Sequence, residues 1–326
     1  MEQRHLGRTG LRVSRLGLGT LTWARDTGEQ DAADQLKTFW EAGGTLVDTA
    51  DVYADGGAEY LLGRLVEGFV PRRDLVIATK AGRVLDPHRR SDGSRRHLLA
   101  ALDASLERLG TDYIDLWQVH AFDPHTPLEE TLQALDTAVA SGRVRYAGLA
   151  NFSGWQLAKA ATWQLADPAR TRLASTQMEY SLLQRGVERE VLPAARDLGM
   201  GLLPASPLGR GVLTGKYRHA TPADSRGASA HLAPFVAPYL DEAAGRIVEA
   251  VSTAADGLAA TPAHVALAWV RDRPGVTAPV VGARTADQLR AALSVETLSL
   301  PDEICRALDD VSAPVHHYPD HDWSTL

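Results

Sequence analysis

The feature that most constrains the fold is an alternation. Eight short apolar runs follow one another, at residues 15–20, 45–47, 75–79, 113–119, 144–149, 174–178, 201–204 and 276–281. Segments with helical spacing fall between them at 31–43, 58–67, 95–109, 127–140, 155–165 and 188–198, and another follows the last run at 286–293. In 31–43, for example, Ala33, Leu36, Phe39 and Trp40 share one helical face, and Gly43-Gly44 supplies the stop. Strands that alternate with helices imply a parallel sheet. Eight such units in 326 residues favour a closed barrel over an open sheet. The expected fold is therefore α/β, a (β/α)8 TIM barrel forming a single domain over residues 1–326. Residues 4–6 and 12–14 flank a glycine-bearing turn and predict a β-hairpin ahead of the first barrel strand. Residues 301–311 predict an extra C-terminal helix, and the tail 313–326 is expected on the surface. Residues 214–240 show little periodicity, and a loop that long is a functional lid or disordered.

Ionisable residues end three of the apolar runs. Asp48 follows Thr45-Leu46-Val47, Lys80 follows residues 75–79, and His120 follows residues 113–119. Tyr53 lies in the turn after Asp48. The strands of a parallel barrel gather their C-terminal ends on one face, where chemistry is carried. A carboxylate, a phenol, an ammonium and an imidazole would meet there. A free phenol has a pKa of about 10 and is a poor acid at neutral pH. A nearby ammonium stabilises the phenolate, and a carboxylate would hold that ammonium charged and in place. An imidazole could hydrogen-bond a carbonyl oxygen or share in proton transfer. Singly, each residue reads as a surface charge or an ion pair; together they read as a site.

Bulk properties bound the partners. Lys plus Arg number 34 against 41 Asp plus Glu, a net charge of -7, which argues against a nucleic acid or an anionic membrane as the main partner. Cys305 is the only cysteine, so no intrachain disulfide can form. The first residues lack an apolar signal core, and no run is long enough to span a bilayer. The expected location is cytoplasmic. His120 and His125 lie close in sequence but bring no third ligand, so no metal site is expected.

Asp48, Tyr53, Lys80 and His120, in this order, resemble the catalytic tetrad of the aldo-keto reductases. The likeness spans nearly the whole chain. Gly17-Leu18-Gly19-Thr20 resembles the family's first strand end, Gly148-Leu149-Ala150-Asn151-Phe152-Ser153 its fifth, and Gln177-Met178-Glu179-Tyr180-Ser181 its sixth. The stretch from Ser206-Pro207-Leu208-Gly209-Arg210-Gly211 to Lys216-Tyr217 resembles the seventh strand and its loop. Val281-Gly282-Ala283-Arg284-Thr285 with Gln288 resembles the adenine end of the cofactor site. The sequence is most similar to the branch that holds potassium-channel β subunits and many bacterial reductases.

The resemblance implies reduction of an aldehyde or ketone by NADPH bound across the C-terminal face, with the hairpin plugging the other end. Tyr53 would be the acid, tuned by Lys80 and Asp48, and His120 would orient the carbonyl. Asn151 and Gln177 would bond the nicotinamide carboxamide. Backbone around Gly19-Thr20 and along Ser206, Pro207, Leu208 and Gly209 would approach the ribose and pyrophosphate, and Asp48 and Gly211 would also bind the cofactor. Lys216 would reach a phosphate, Arg284 the 2′-phosphate, and Gln288 the adenine end. The chain departs from the family pattern at Ala150, where a serine is usual. Ala205 stands where an aromatic stacks on the nicotinamide, and Ala291-Ala292 where Glu-Asn is common. Trp23 and Phe122, near strand ends, are candidate substrate-wall residues. Arg83, His88, Arg89 and Arg90 would suit an anionic or sugar substrate, or simply a solvated loop.

Two other functions compete. One is an NADPH-binding regulatory or accessory subunit with little turnover. The other is an aldolase using Lys80 as a Schiff base, against which Asp48 counts, because a carboxylate keeps lysine protonated. The identity of the small-molecule carbonyl and the oligomeric state are not set by these motifs.

Overall fold

Leu6 and Val13 are fully buried beside the antiparallel hairpin formed by β1 (Gln3–His5) and β2 (Arg12–Ser14). In the computed structural model, which describes residues 1–84, 86 and 89–314, they pack against Leu46, Ala78, Leu116, Ala174, Leu203 and Ala278. Those residues point into the centre of a ring of parallel strands. The hairpin thus plugs the N-terminal mouth of the barrel, as expected. Leucines alternate with alanines in this layer, which lets side chains from several strands fill a narrow interior.

The ring consists of β3 (Gly17–Gly19), β4 (Leu46–Asp48), β5 (Val76–Ala81), β6 (Ile114–Val119), β7 (Val144–Ala150), β8 (Leu173–Glu179), β9 (Gly201–Ala205) and β10 (Val280–Gly282). They are hydrogen-bonded in that order, and β10 returns to pair with β3. Closure comes from a bridge between Leu202 and Val276, with the Thr277 N–H donating to the Leu202 carbonyl at 2.8 Å. The last strand differs from the expected run 276–281. Pro279 interrupts it, because proline has no N–H to give the ladder; its carbonyl instead accepts from the Gly17 N–H at 2.9 Å.

Around the ring lie α1 (Glu29–Glu41), α2 (Gly57–Gly68), α3 (Arg95–Leu109), α4 (Leu128–Ala140), α5 (Gly154–Leu165) and α6 (Val191–Asp197). Each buries one face. In α4 the buried positions Leu128, Thr131, Leu132, Leu135 and Ala138 recur at helical spacing. The Ser94 side chain caps α3 by accepting from the His97 N–H, and Gly110 ends it in the left-handed region at φ 60°.

The chain between β9 and β10 differs most from expectation. After the short α7 (Ala233–Val236) come two full helices, α8 (Glu242–Gly257) and α9 (Pro262–Arg271), where the sequence reading assigns nothing. Every residue of α9 from Val265 to Arg271 is buried, so its apolar run carries no one-sided pattern. Residues 214–240 form short helical turns rather than an unstructured loop. The chain ends on α10 (Ala286–Leu293) and α11 (Asp302–Val311). Beyond residue 314 the expected surface tail lies outside the described residues, as does His88. Among the described residues no helix is long and apolar enough to cross a membrane.

Candidate active site

Successive side chains on a strand alternate between faces. Leu46, Ala78 and Leu116 face the barrel interior. Two residues further on, at the C-terminal ends of the same strands, that alternation turns Asp48, Lys80 and Gln118 inward, and His120 follows Gln118 by two. Strand β8 breaks the rule usefully. Its pairing with β7 steps from Leu173 opposite Ala147 to Ser175 opposite Gly148, a bulge at Ala174. Ala174 and Ser175 then both face inward, and Gln177 follows on the interior side. Gly148 is required there: a Cβ would stand 2.3 Å from Ser175 Oγ and 3.1 Å from Gln118 Cγ.

The four expected tetrad residues are brought together. Lys80 Nζ donates to both Asp48 oxygens at 2.8 Å and to the Thr49 carbonyl at 2.7 Å. Its ammonium also lies 5.4 Å from the centre of the Tyr53 ring. Tyr53 meets His120 edge-on, with ring centres 6.1 Å apart. The turn that carries Tyr53 back over Asp48 needs left-handed backbone at Ala54 and Asp55 (φ 50° and 53°), and Gly56 completes it. Such backbone is uncommon for residues with a Cβ and concentrates at functional sites.

Burial sets the electrostatics. It lowers the affinity of Lys80 for its proton, but Asp48 and Tyr53 outweigh it, and the Lys80 pKa stands above its ordinary value. Burial raises the Tyr53 pKa; Lys80 opposes this as expected without overcoming it, and Asp48 adds to the rise. The phenol therefore holds its proton at neutral pH. Burial, Lys80 and Arg83 all push the His120 pKa well below the usual imidazole value, so the ring is neutral. A protonated phenol against an ammonium, beside a neutral imidazole, can give a proton to an oxygen and stabilise the charge left behind.

Behind this group lies a second set of buried charges. Glu59 is fully buried, accepts from Thr79 Oγ1 at 2.5 Å, and pairs with Arg108 at 2.7 Å. Asp51, whose N–H donates to the Lys80 carbonyl at 3.1 Å, has a buried Oδ1 without a partner among the described residues. Burial first, then Glu59, raises its pKa to about 7. Sequence reading passed over both acids, since neither ends a strand.

A cavity of about 400 Å³ opens beside Tyr53. Of the expected cofactor residues, Gly19, Thr20, Asp48, Gln177, Ser206, Pro207, Leu208, Gly211, Lys216, Arg284 and Gln288 line it. Asn151 and Gly209 do not. Asn151 Nδ2 instead donates to the His120 carbonyl at 2.9 Å, which steadies the imidazole strand end. Gly209 packs behind the loop, where an added Cβ would meet Leu183 at 2.6 Å. Gln177 Nε2 is engaged by Asp48 Oδ1 at 2.9 Å. Ala205 lines the wall, and among the described lining residues Tyr53 is the only Phe, Trp or Tyr, so no aromatic takes the stacking place.

Arg226, from the long segment, is a lining residue that sequence reading missed. It joins Lys216 and Arg284. Burial, with Arg226 and Arg284 adding to it, lowers the Lys216 pKa; burial and Arg284 lower that of Arg226. Asp224, 85% exposed, lies 3.7 Å from Arg284. Three crowded cations with so little compensation fit a multiply charged anion. The segment is pinned on both sides. Arg210 bonds Glu179 at 2.5 and 2.9 Å and the Phe235 carbonyl at 2.5 Å, while His231 reaches Asp26 at 3.1 Å.

The two candidate substrate residues separate. Trp23 is fully buried in the core, with its indole N–H donating to Gln35 Oε1 at 3.0 Å, so it forms no substrate wall. Its large apolar ring is satisfied by packing against α1. Phe122 is half-buried and meets Phe152 and Trp155 edge-on, at 5.6 and 5.8 Å between ring centres.

Comparison with known proteins follows the same lines. A model described as the aldo/keto reductase family matches residues 15–313. An uncharacterized oxidoreductase, YrpG, of Bacillus subtilis (strain 168) is 39% identical, covering 95% of this chain and 96% of its own. Versiconal hemiacetal acetate reductase of Aspergillus parasiticus is 31% identical, covering 93% and 95%. A probable voltage-gated potassium channel subunit beta of Oryza sativa subsp. japonica is 34% identical over 98% of both chains.

Proposed function

The chain belongs to the aldo/keto reductase family, and from that premise we propose that it reduces an aldehyde or ketone to an alcohol with NADPH. The observation that carries this reading is the Tyr53 phenol, protonated and beside Lys80, on a cavity that three cations also line. Bound NADPH would supply the hydride to the carbonyl carbon. Tyr53 would give its proton to the carbonyl oxygen. Lys80, held by Asp48, would stabilise the phenolate that remains. Neutral His120 would offer an N–H to the same oxygen and fix the approach of the carbonyl. Gln177 gives one amide N–H to Asp48, which orients its amide oxygen and second N–H for a carboxamide. Lys216, Arg226 and Arg284 would hold the phosphates, and Arg284, with its planar fork, suits the 2′-phosphate.

A second reading, an NADPH-binding accessory subunit with little turnover, is favoured by the likeness to the rice channel subunit. The aldolase reading is disfavoured: Lys80 is paired with Asp48, and its pKa is raised, the reverse of what a Schiff-base nucleophile needs.

The deciding experiment follows the loss of NADPH absorbance with a panel of aldehydes, for wild type and Tyr53→Phe. Turnover by wild type that is abolished in the variant, with NADPH still bound, supports the reductase. Tight binding without turnover supports the accessory subunit. Equal turnover by both proteins overturns the assignment of Tyr53.

A further inference from the structure

The arginines that follow β5 are not equivalent. Arg89 is committed: its guanidinium bonds Asp92 at 3.0 Å and Asp123 at 3.1 Å. Asp123 in turn accepts from the Gly93 and His125 N–H groups and from Thr126 Oγ1. Burial works against its charge, but these bonds hold its pKa at about 2. Arg89 and Asp123 therefore form a fixed loop brace.

Arg83 is different. It stands three residues beyond Lys80, and its main chain is bridged to Ser91. The Ser91 hydroxyl donates to the Phe122 carbonyl at 3.2 Å. The backbone of Arg83 is thus tied to the loop that bears Phe122. Its side chain is exposed, and no carboxylate among the described residues forms an ion pair with it. Arg83 follows Ala81 by two residues, and the Ala81 carbonyl accepts from the His120 N–H at 2.8 Å, so the Arg83 backbone sits beside the strand end that carries His120; its charge also acts to lower the pKa of both Tyr53 and His120. On the Phe122 side, Phe122, Phe152 and Trp155 form an edge-on aromatic cluster, with Trp155 59% exposed. The loops that follow the Lys80 and His120 strand ends therefore carry an edge-on aromatic cluster and a guanidinium with no carboxylate partner among the described residues.

We propose that Arg83 determines substrate specificity, and that the site takes a carbonyl compound with a carboxylate on a planar apolar body. The inference rests on the reductase reading above and names the substrate class of that site. A guanidinium is the side chain best matched to a carboxylate, since its two N–H groups bond both oxygens in one plane. The aromatic cluster offers apolar surface to the body, and the carbonyl at its other end is left to Tyr53 and His120. A neutral substrate would make the aromatic contacts but leave Arg83 to water.

The test compares 4-carboxybenzaldehyde with methyl 4-formylbenzoate, which share a ring and differ in charge. With the full chain and NADPH, wild type is expected to favour the carboxylate by about tenfold or more in kcat/KM, mainly through KM. In Arg83→Gln the ratio should fall to about one, and Arg83→Lys should restore part of it. The ratio cancels any change that Arg83 makes to the acidity of Tyr53 or His120. A ratio that is the same in wild type and Arg83→Gln overturns the proposal while leaving the reductase reading intact. If wild type reduces neither aldehyde, the reductase reading is left to the aldehyde panel and Tyr53→Phe, and the carboxylate preference is read from binding. Equilibrium dialysis of 4-carboxybenzaldehyde against wild type and Arg83→Gln then decides the role of Arg83. Weaker binding by the variant supports it, and equal affinities overturn it.

Discussion

Lys80 Nζ lies 2.8 Å from each carboxylate oxygen of Asp48, on neighbouring strands whose register sets Asp48 beside Ala78. Both side chains are almost wholly buried, at 1% and 5% exposure. Burial makes such a pair costly to break, because the partner left behind is an uncompensated charge. Lys80→Met is expected to lose about 3–5 kcal/mol of stability, read by urea unfolding. Adding Asp48→Asn should recover part of the loss. A single variant as stable as wild type would mean that the pair is not buried as described.

Asp51 should make stability depend on pH. Its native pKa is raised to about 7, whereas an unfolded aspartate titrates near about 4. Between those values the native state binds the extra proton, so its stability is full below about pH 4 and declines as pH rises through 7. The decline is at most about 4 kcal/mol. Asp51→Asn keeps the shape and removes the titration. Its melting temperature should exceed that of wild type by several degrees at pH 8, with the gap closing toward pH 4. A gap independent of pH would disprove this assignment.

Tyr53 and His120 set the pH profile of any reduction. The raised phenol pKa keeps the acid protonated, and the lowered imidazole pKa keeps His120 neutral. The kcat/KM for an aldehyde, at saturating NADPH, should be flat from about pH 7 to about pH 10 and fall only above that. A break near pH 8 would point to a different acid or to a Tyr53 tuned by the bound cofactor.

The cation cluster makes a prediction about cofactor choice. Arg284→Ala and Arg226→Ala should each weaken NADPH binding by about 10- to 100-fold, the worth of a bond to a charged group. For a cation on the 2′-phosphate, NADH binding should change little, and titration with both cofactors separates the cases. An equal loss for both would place that arginine on the pyrophosphate instead.

Gly63 joins α2 to α3. A Cβ there would stand 2.7 Å from the Arg108 carbonyl oxygen and 2.8 Å from the Leu109 carbonyl carbon, which are backbone atoms with little freedom to move. Gly63→Ala gains about 1 kcal/mol in helix propensity, yet overpacking costs about 1–3 kcal/mol. The variant should melt below wild type and bind NADPH normally. A higher melting temperature would show that the two helices separate freely.

Much of the molecule was legible before its fold was known. Period-2 and period-3.6 patterns are local, so most of the barrel elements could be read from the chain. Asp48, Lys80 and His120 were also readable, because a polar residue closing an apolar run marks the C-terminal end of a strand. The failures have physical causes. The helix α9 is buried on every side and so carries no stripe. Trp23 lies near a strand end yet faces Gln35 in the core, and sequence position does not reveal direction. Arg226 reaches the cavity from a segment without periodicity.

By itself, then, the sequence determined the eight-unit alternation, the residues at its strand ends and their order, since these depend on chemistry within a few neighbours along the chain. Only the tertiary structure decided that the bulge at Ala174 turns Gln177 onto Asp48. It also decided that Arg226 and Arg284, 58 positions apart, stand close enough for each to weigh on the other, and that burial outweighs Lys80 at Tyr53. Those outcomes depend on distance and solvent exclusion between segments far apart in sequence, and neither exists until the barrel has closed.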